Sequence, residues 1–199
     1  MTSAPSLVLA STSATRRATL TAAGVPHEAV ASGVDERAVE DELGDVAPAV
    51  VAATLAQKKA LGVPADAGTL VLGCDQVLET AGGRVLSKAA TVDDLRAQLL
   101  DLRGTRHRLI SAAAIASGGD IVWRASDTVT LHMRAFSDEF LDAYLVQEGA
   151  AALHCVGGYR IEGLGAQLFD AIDGSHFAIL GLPLLPLLVY LRERGVIVL

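Results

Sequence analysis

Five small or hydroxylated residues, Ser11-Thr12-Ser13-Ala14-Thr15, run directly into two arginines, Arg16 and Arg17. Hydroxyl-rich backbone entering a helix offers an anion three things at once: free N–H groups, side-chain hydroxyls and the positive end of the helix dipole. Two guanidiniums in a first helical turn oppose that dipole. A phosphate beside them removes the conflict, because Arg matches phosphate bidentately. The same residues also allow a plainer arrangement, with Ser or Thr as the N-cap and Arg16 and Arg17 on a solvated face. Three acids, Glu36, Asp75 and Glu162, stand near glycines or strand ends. Carboxylates accompanied by lysines and arginines, with no Ser-His-Asp pattern, suit metal-assisted phosphoryl chemistry. Lone acids, and isolated lysines such as Lys59 and Lys88, are otherwise surface groups. Asp75 stands out because it directly follows an apolar run. His154-Cys155 has the residue types of a nucleophile pair. Sequence neighbours rarely have the geometry, so Cys155 reads as a buried thiol. The five histidines show no metal-ligand spacing, and His107 and His132 read as ordinary strand residues.

The elements that position these residues must come from 199 residues, 51% hydrophobic and 20% charged, which is one domain or a closely joined pair of lobes. Such a chain buries roughly 70% of its unfolded surface and needs no disulfide or metal staple. The formal net charge of -7 disfavours binding of DNA or RNA polymers through a basic face, so a phosphate site must be a local positive pocket. Cys74 and Cys155 have no CxxC spacing and read as buried thiols in a reducing compartment. Met1 to Ser6 shows no basic leader. The longest apolar run, Ala178 to Leu191, is short for a span and holds Pro183 and Pro186. The expectation is a cytoplasmic protein with no membrane partner.

Leu7-Val8-Leu9 reads as a strand, and Arg16 to Ala23 as a short helix stopped by Gly24. His27 to Ala31 reads as a strand. The acidic stretch Asp35 to Asp45 reads mostly as solvated loop or a helix start. Pro48 opens a helix carrying Val51, Leu55, Lys58, Lys59 and Leu61. Thr69 to Gly73 reads as a buried strand with Asp75 and Gln76 just past its carboxyl end, where α/β proteins place ligand chemistry. Val77 to Leu86 reads as a hairpin around Gly82-Gly83. Thr91-Val92-Asp93-Asp94 has the form of a capping box with Asp for Glu, starting a helix that ends near Gly104. His107 to Ala116 and the segment from Ile121 onward read as partner strands across Gly118-Gly119-Asp120. In the latter, Val129, Leu131 and Met133 alternate with Thr128, Thr130 and His132. Then come a helix over 138–146, a strand over 166–172, a helix from Gly181-Leu182-Pro183 to Arg194, and a last strand over 196–199. The fold class is α/β with a mixed, elongated sheet.

Several segments combine into a more specific pattern. They are Leu9-Ala10-Ser11-Thr12-Ser13-Ala14-Thr15-Arg16-Arg17, Val34-Asp35-Glu36, Leu55-Ala56-Gln57-Lys58-Lys59-Ala60 and Gly73-Cys74-Asp75-Gln76-Val77. Ser87-Lys88, His154-Cys155-Val156-Gly157 with Glu162-Gly163, and Gly174-Ser175 leading to Gly181-Leu182-Pro183-Leu184 follow. In this order and spacing they resemble the Maf-like nucleoside triphosphate pyrophosphatases along nearly the whole chain.

The resemblance implies one Maf-like domain over residues 1–199: a mixed sheet flanked by helices, with two lobes around a nucleotide-binding cleft, as in the ITPase-like folds. It implies hydrolysis of a nucleoside triphosphate between the α- and β-phosphates, with Mg2+ or Mn2+. Arg16, Lys59 and Lys88 match the phosphate-binding cations, with Ser11, Ser13 and Arg17 beside them. Asp75 matches the proton acceptor, and Glu36 with Asp75 the metal-holding acids. Thr15, Gln76 and Glu162 match the three positions linked to base choice. Gln76 and Glu162, together with His154-Cys155, resemble the subgroup acting on 7-methyl-GTP; the dTTP/UTP subgroup has Thr and Gln at the first two. Ala14-Thr15 stands where the 7-methyl-GTP subgroup has Pro-Trp, which removes a stacking surface for a cationic base. Lys88-Ala89 stands where the family has Lys-Pro. A different class of function, a nucleotide-binding regulator of cell division with little catalysis, is also associated with the family. The resemblance leaves a homodimer open.

Overall fold

Leu7 and Leu9 are almost completely buried, and they lie in a short strand that has neighbours on both sides. The strand is β1 (Ser6–Ala10), followed by α1 (Ala14–Ala22), β2 (Glu28–Val30), α2 (Glu36–Leu43) and α3 (Pro48–Leu61). Next come β3 (Thr69–Thr80), β4 (Val85–Leu86), α4 (Val92–Leu102), β5 (Arg106–Ser117) and β6 (Asp120–Met133). The chain continues through α5 (Asp138–Ala152), a 3-10 turn over Leu164–Leu168, β7 (Phe169–Asp173), α6 (His176–Ile179) and α7 (Leu184–Glu193). This computed structural model describes residues 5–66 and 68–198. The strands make a seven-stranded mixed sheet in the order β2-β1-β3-β5-β6-β7, with β4 paired to β3.

The residues fall into two compact units. The first holds the chain up to Gln76, Ser111–Asp127 and Ser175 onward; the second holds Val77–Ile110 and Thr128–Gly174. In the first unit β1 is parallel to β2 and to β3, with Leu9 opposite Ala29 and Leu72. Parallel neighbours need crossover connections, which α1, α2 and α3 supply. The two-residue period of β3 divides its side chains between two environments. Leu70, Leu72 and Cys74 join Leu7, Leu9, Leu20, Leu182, Leu187 and Leu191 in the larger core. Val71 belongs with Ala10, Ala60 and Ala116, a layer of small side chains that lets α3 approach closely. Gly73 completes that approach: a Cβ there would lie 2.1 Å from the Ala56 carbonyl oxygen and 2.4 Å from the Ala60 nitrogen. Asp75 continues the same alternation, so it faces the layer where α3 carries Lys59.

The second unit is built on antiparallel pairs. Leu78 lies opposite Leu86 in the β3–β4 hairpin, and Leu131 opposite Ile172 in β6–β7. Helix α4 starts at the expected capping box: Asp94 N–H donates to Thr91 Oγ1, and Thr91 N–H donates to Asp94 Oδ2. Leu95, Leu99 and Leu102 form its buried face. Ser137 caps α5 through the Phe140 N–H.

Several sequence expectations are corrected. β3 does not end at Gly73; it runs on through Asp75 and Gln76 to Thr80. Gly73 marks a close helix contact inside a strand, not its end. The acidic stretch forms a full helix, α2, because Asp35 caps it by accepting from Ala38 N–H and Val39 anchors it in the core. Helix α5 extends through the alanines to Ala152. The strand expected over 166–172 starts only at Phe169, because Gly165 packs on the Arg160 backbone, 2.4 Å from that carbonyl to a would-be Cβ. The short helix α6 carried no sequence signal. No strand forms over 196–198: Gly195 turns at φ +70° and the Val196 N–H donates back to Leu191 O. Leu199, and most of the leader-free reading of residues 1–6, lie outside the described residues. Among the described residues no helix is long and apolar enough to cross a membrane.

Candidate functional site

The β1–α1 turn uses its hydroxyls first as caps. Ser13 is the N-cap of α1 and its Oγ accepts from the Arg16 N–H at 3.3 Å, while Ser13 N–H donates to Ser11 Oγ at 3.2 Å. The capping arrangement therefore holds, but the solvated-face reading fails for Arg16. Its Nε donates to the Gly181 carbonyl at 2.9 Å, and Nη1 donates to Ser11 Oγ at 3.5 Å. With Nε committed, the two terminal nitrogens form the forked edge that fits a phosphate. Arg17, one step further round the helix, is exposed, so the structure brings only one of the two arginines to Ser11 and Gly181. Thr15 is half-buried, and its carbonyl accepts from Thr19 Oγ1.

Two charged side chains of the first unit meet out of solvent. Lys59 Nζ donates to Asp75 Oδ1 at 2.6 Å and lies 2.7 Å from Glu36 Oε1. Lys59 and Asp75 are buried, whereas the Glu36 side chain is half-exposed. Burial pushes the Asp75 carboxyl above its ordinary range; the Lys59 and Arg16 charges pull it back, and Glu36 adds to the rise. Glu40, one helical turn beyond Glu36, is raised by burial, then by Asp75 and Glu36. The thiol of Cys74, on the other side of β3, is pushed up to about 11 by burial and stays protonated.

Among the described residues no cluster of three His, Cys, Asp or Glu side chains is arranged to hold a metal. Glu36 and Asp75 nevertheless converge on one cationic group. Two hard carboxylates suit an ion such as Mg2+ or Mn2+ that takes its other ligands from phosphate oxygens and water. The donor set fits such an ion only in company with a phosphate-bearing ligand.

Gln76 is more constrained than its expected role in base choice suggests. Its Nε2 donates to Ala178 O at 2.7 Å, to Ile179 O at 3.0 Å and to Ser111 Oγ at 3.0 Å. Its amide donors are thus committed within the first unit. Ser111 and Gly181 are two residues that sequence reasoning missed as site components. A buried serine in an apolar strand carries no signal, and Gly181 reads as a helix opener and as part of the Gly181-Leu182-Pro183-Leu184 motif, with no site role of its own.

In the second unit Lys88 is exposed. Arg160 stands between two acids, with Nη1 3.5 Å from Glu148 Oε2 and Nε 3.7 Å from Glu162 Oε1. Cys155 is partly buried; burial and then Glu162 raise its thiol, against Arg160 and Lys88. His154 is exposed. A protonated thiol next to an exposed imidazole is not an activated nucleophile, as the spacing argument anticipated. His107 is buried, with Nε2 2.7 Å from the Tyr159 hydroxyl oxygen.

Fold and side chains together describe a mixed-sheet α/β protein with a buried acid–ammonium pair and a backbone-braced arginine at its first turn. Comparison with known proteins makes this specific. The family model described as "Maf-like protein" matches residues 6–194, and the chain belongs to that family. It is 46% identical over 191 residues to a protein of Caulobacter vibrioides named "Nucleoside triphosphate pyrophosphatase", covering 95% of this chain and 96% of that one. A Rhodopseudomonas palustris protein with the same name is 47% identical, covering 94% and 93%. A Mesorhizobium japonicum protein named "7-methyl-GTP pyrophosphatase" is 46% identical, covering 96% and 97%.

Proposed function

We propose that this chain is a nucleoside triphosphate pyrophosphatase. It hydrolyses the anhydride between the α- and β-phosphates to give a nucleoside monophosphate and pyrophosphate. The observation that carries the reading is the buried Asp75 carboxylate held by Lys59 at 2.6 Å, in the same unit as the braced Arg16. Membership in the Maf-like family and the names of its relatives support it.

Asp75 is the general base. Its carboxylate takes a proton from water as the water oxygen bonds to the α-phosphorus and the bond to the bridging oxygen breaks. General-base help of this kind contributes about 10²–10⁴ in rate. Burial makes Asp75 a stronger base than a solvated carboxylate, and Lys59 keeps it ionised and oriented. Arg16 and Lys59 offset the charge that develops on the departing pyrophosphate, an effect that is strongest where water is scarce. Lys88 is the third cation of the set implied by the family resemblance, with Ser11, Ser13 and Arg17 as further phosphate contacts. Glu36 and Asp75 would hold Mg2+ or Mn2+, which supplies added charge neutralisation at the phosphates.

For the base we propose 7-methylated guanine ahead of thymine or uracil. Glu162 supplies the reason: a carboxylate attracts the delocalised positive charge that N7-methylation creates. Its partner Arg160 stands at 3.7 Å, beyond hydrogen-bond distance, so the carboxylate still has oxygen lone pairs to offer. Two relatives that match nearly the whole chain carry the name 7-methyl-GTP pyrophosphatase.

A pyrophosphate-release assay on 7-methyl-GTP, GTP, dTTP and UTP, with and without chelator, tests the reading. It predicts metal-dependent release, fastest with 7-methyl-GTP. Preference for dTTP or UTP would move the chain to that subgroup. Tight nucleotide binding without release would favour a binding regulator, and undiminished release in excess chelator would remove the metal.

A further inference from the structure

Ser111 is completely buried in β5 beside Gln76 of β3, and the pyrophosphatase reading gives it no task. Its hydroxyl is nonetheless fully used. Oγ donates to the Ala178 carbonyl at 2.7 Å and accepts from Gln76 Nε2 at 3.0 Å. Gln76 Nε2 reaches the same Ala178 carbonyl and also that of Ile179. Two side chains from two strands thus end on consecutive carbonyls of one segment.

Burial of Ala178, Ile179 and Leu182 and the turn hydrogen bonds of the segment seat it in the core, and the two strand side chains add polar anchors to it. Helix α6 is four residues long and has no side-chain cap, and a helix so short is not stable by itself. Three residues beyond Ala178 the chain reaches Gly181, at φ +84°. The Gly181 carbonyl accepts from Arg16 Nε at 2.9 Å. A Cβ on Gly181 would stand 3.1 Å from Arg16 Nε and 3.2 Å from Nη2, so the guanidinium rests on bare backbone. The path from Gln76 and Ser111 to Arg16 is therefore continuous: strand side chains, two carbonyls, a tight turn, one carbonyl, guanidinium.

We propose that Gln76 and Ser111 are positioning residues for Arg16. They fix the Ala178–Gly181 segment, and its last carbonyl aims the guanidinium fork at phosphate. The proposal rests on the pyrophosphatase reading for the identity of what Arg16 grips. It gives Gln76 a task at the phosphates: donors that end on the Ala178 and Ile179 carbonyls and the Ser111 hydroxyl support every nucleotide alike.

The test compares wild type with Ser111→Ala, Gln76→Met and the conservative Ser111→Thr, in three measurements. The first is the Kd of inorganic pyrophosphate. The second is kcat and KM for 7-methyl-GTP, GTP, dTTP and UTP. The third is solvent exchange of the Arg16 Nε–H, observed by 15N NMR and assigned by its loss in Arg16→Lys. Loss of one or two buried hydrogen bonds should weaken pyrophosphate binding by about three- to tenfold in Ser111→Ala and in Gln76→Met. KM should rise by the same factor for all four triphosphates, their ranking should stay as in wild type, and Nε–H exchange should accelerate. Ser111→Thr, which keeps the hydroxyl, should restore binding and slow exchange. A reordered nucleotide preference in Gln76→Met with unchanged pyrophosphate Kd would make Gln76 a base reader and overturn the proposal. So would an Arg16 Nε–H that exchanges at the wild-type rate in both variants. If wild type releases pyrophosphate from no triphosphate, the functional reading falls, and the Nε–H measurement still decides the clamp by itself.

Discussion

Removing the Lys59 charge should unmask the cost of burying Asp75. At an effective dielectric constant of about 20, unit charges about 4 Å apart attract by about 4 kcal/mol. Taking both groups out of water offsets much of that, so the pair need not be strongly stabilising on balance. Breaking it is different, because Lys59→Met leaves a buried carboxylate with its closest cation gone. Such a loss typically costs about 3–5 kcal/mol. Asp75→Asn in turn strands a buried ammonium, although Glu36 remains 2.7 Å from it. The double variant Lys59→Met/Asp75→Asn removes both charges and should lose much less than the sum of the singles, with a coupling of about 2–3 kcal/mol. Glu36 touches the same ammonium, but its side chain is 55% exposed. Solvent screening limits it, so Glu36→Gln should cost at most about 1 kcal/mol. Urea unfolding near pH 8 measures all four variants. Trp123, stacked on Tyr190 at 5.5 Å in the first unit, is the chain's one tryptophan and reports the transition. Additive single losses, or a Glu36→Gln cost equal to that of Asp75→Asn, would refute this ranking of the two acids.

Further outcomes follow from particular contacts. Gly73→Ala should push α3 off β3, since its Cβ would meet the Ala56 carbonyl at 2.1 Å; we expect a loss of about 1–3 kcal/mol or more in chemical denaturation, with activity falling alongside. Gly181→Ala should leave stability closer to wild type, at about 1 kcal/mol of backbone strain, while raising KM for every nucleotide, because its methyl would displace Arg16. Burial holds the His107 imidazole down to about 4 from 6.5. A base whose folded pKa is depressed contributes stability above its unfolded pKa and loses it as pH falls through the folded one. The stability that depends on neutral His107 should therefore drain between pH 6.5 and 4, by up to about 3 kcal/mol. His107→Phe should flatten the fall in melting temperature across that window, and an unchanged slope would count against the burial argument. Glu162→Gln should lower kcat/KM for 7-methyl-GTP more than for GTP, and equal losses would show that its charge is not read.

How far the sequence revealed this arrangement depended on the range of each cause. Thr91-Asp94 and Gly24 act within a few residues of themselves, and the capping box and the helix stop they predict are present. Gly73 misled because the feature that requires glycine there is the α3 backbone, more than ten residues earlier in the chain. A glycine after an apolar run reads as a strand end, whereas here it is a point of contact within a longer strand. Asp35 and Val39 hid a helix inside an acidic stretch because charge density masked one cap and one anchor. Arg16, Glu36, Lys59 and Asp75 were each named from the sequence. Period-two alternation along β3 and the small-residue layer under α3 explain why Lys59 and Asp75 meet. Gln76 was named for base choice, and its contacts to the Ala178 and Ile179 carbonyls were not legible, because those partners lie about a hundred residues away on backbone that has no sequence signature. Ser111 was invisible for the same reason.

Hydrolysis in 18O-enriched water tests most directly whether Asp75 drives attack at the α-phosphorus. A nucleoside triphosphate should yield monophosphate carrying one 18O and unlabelled pyrophosphate, and Asp75→Asn should slow that labelling by about 10²–10⁴. Label appearing in pyrophosphate or orthophosphate, or an Asp75→Asn enzyme that labels the monophosphate at the wild-type rate, would contradict the account.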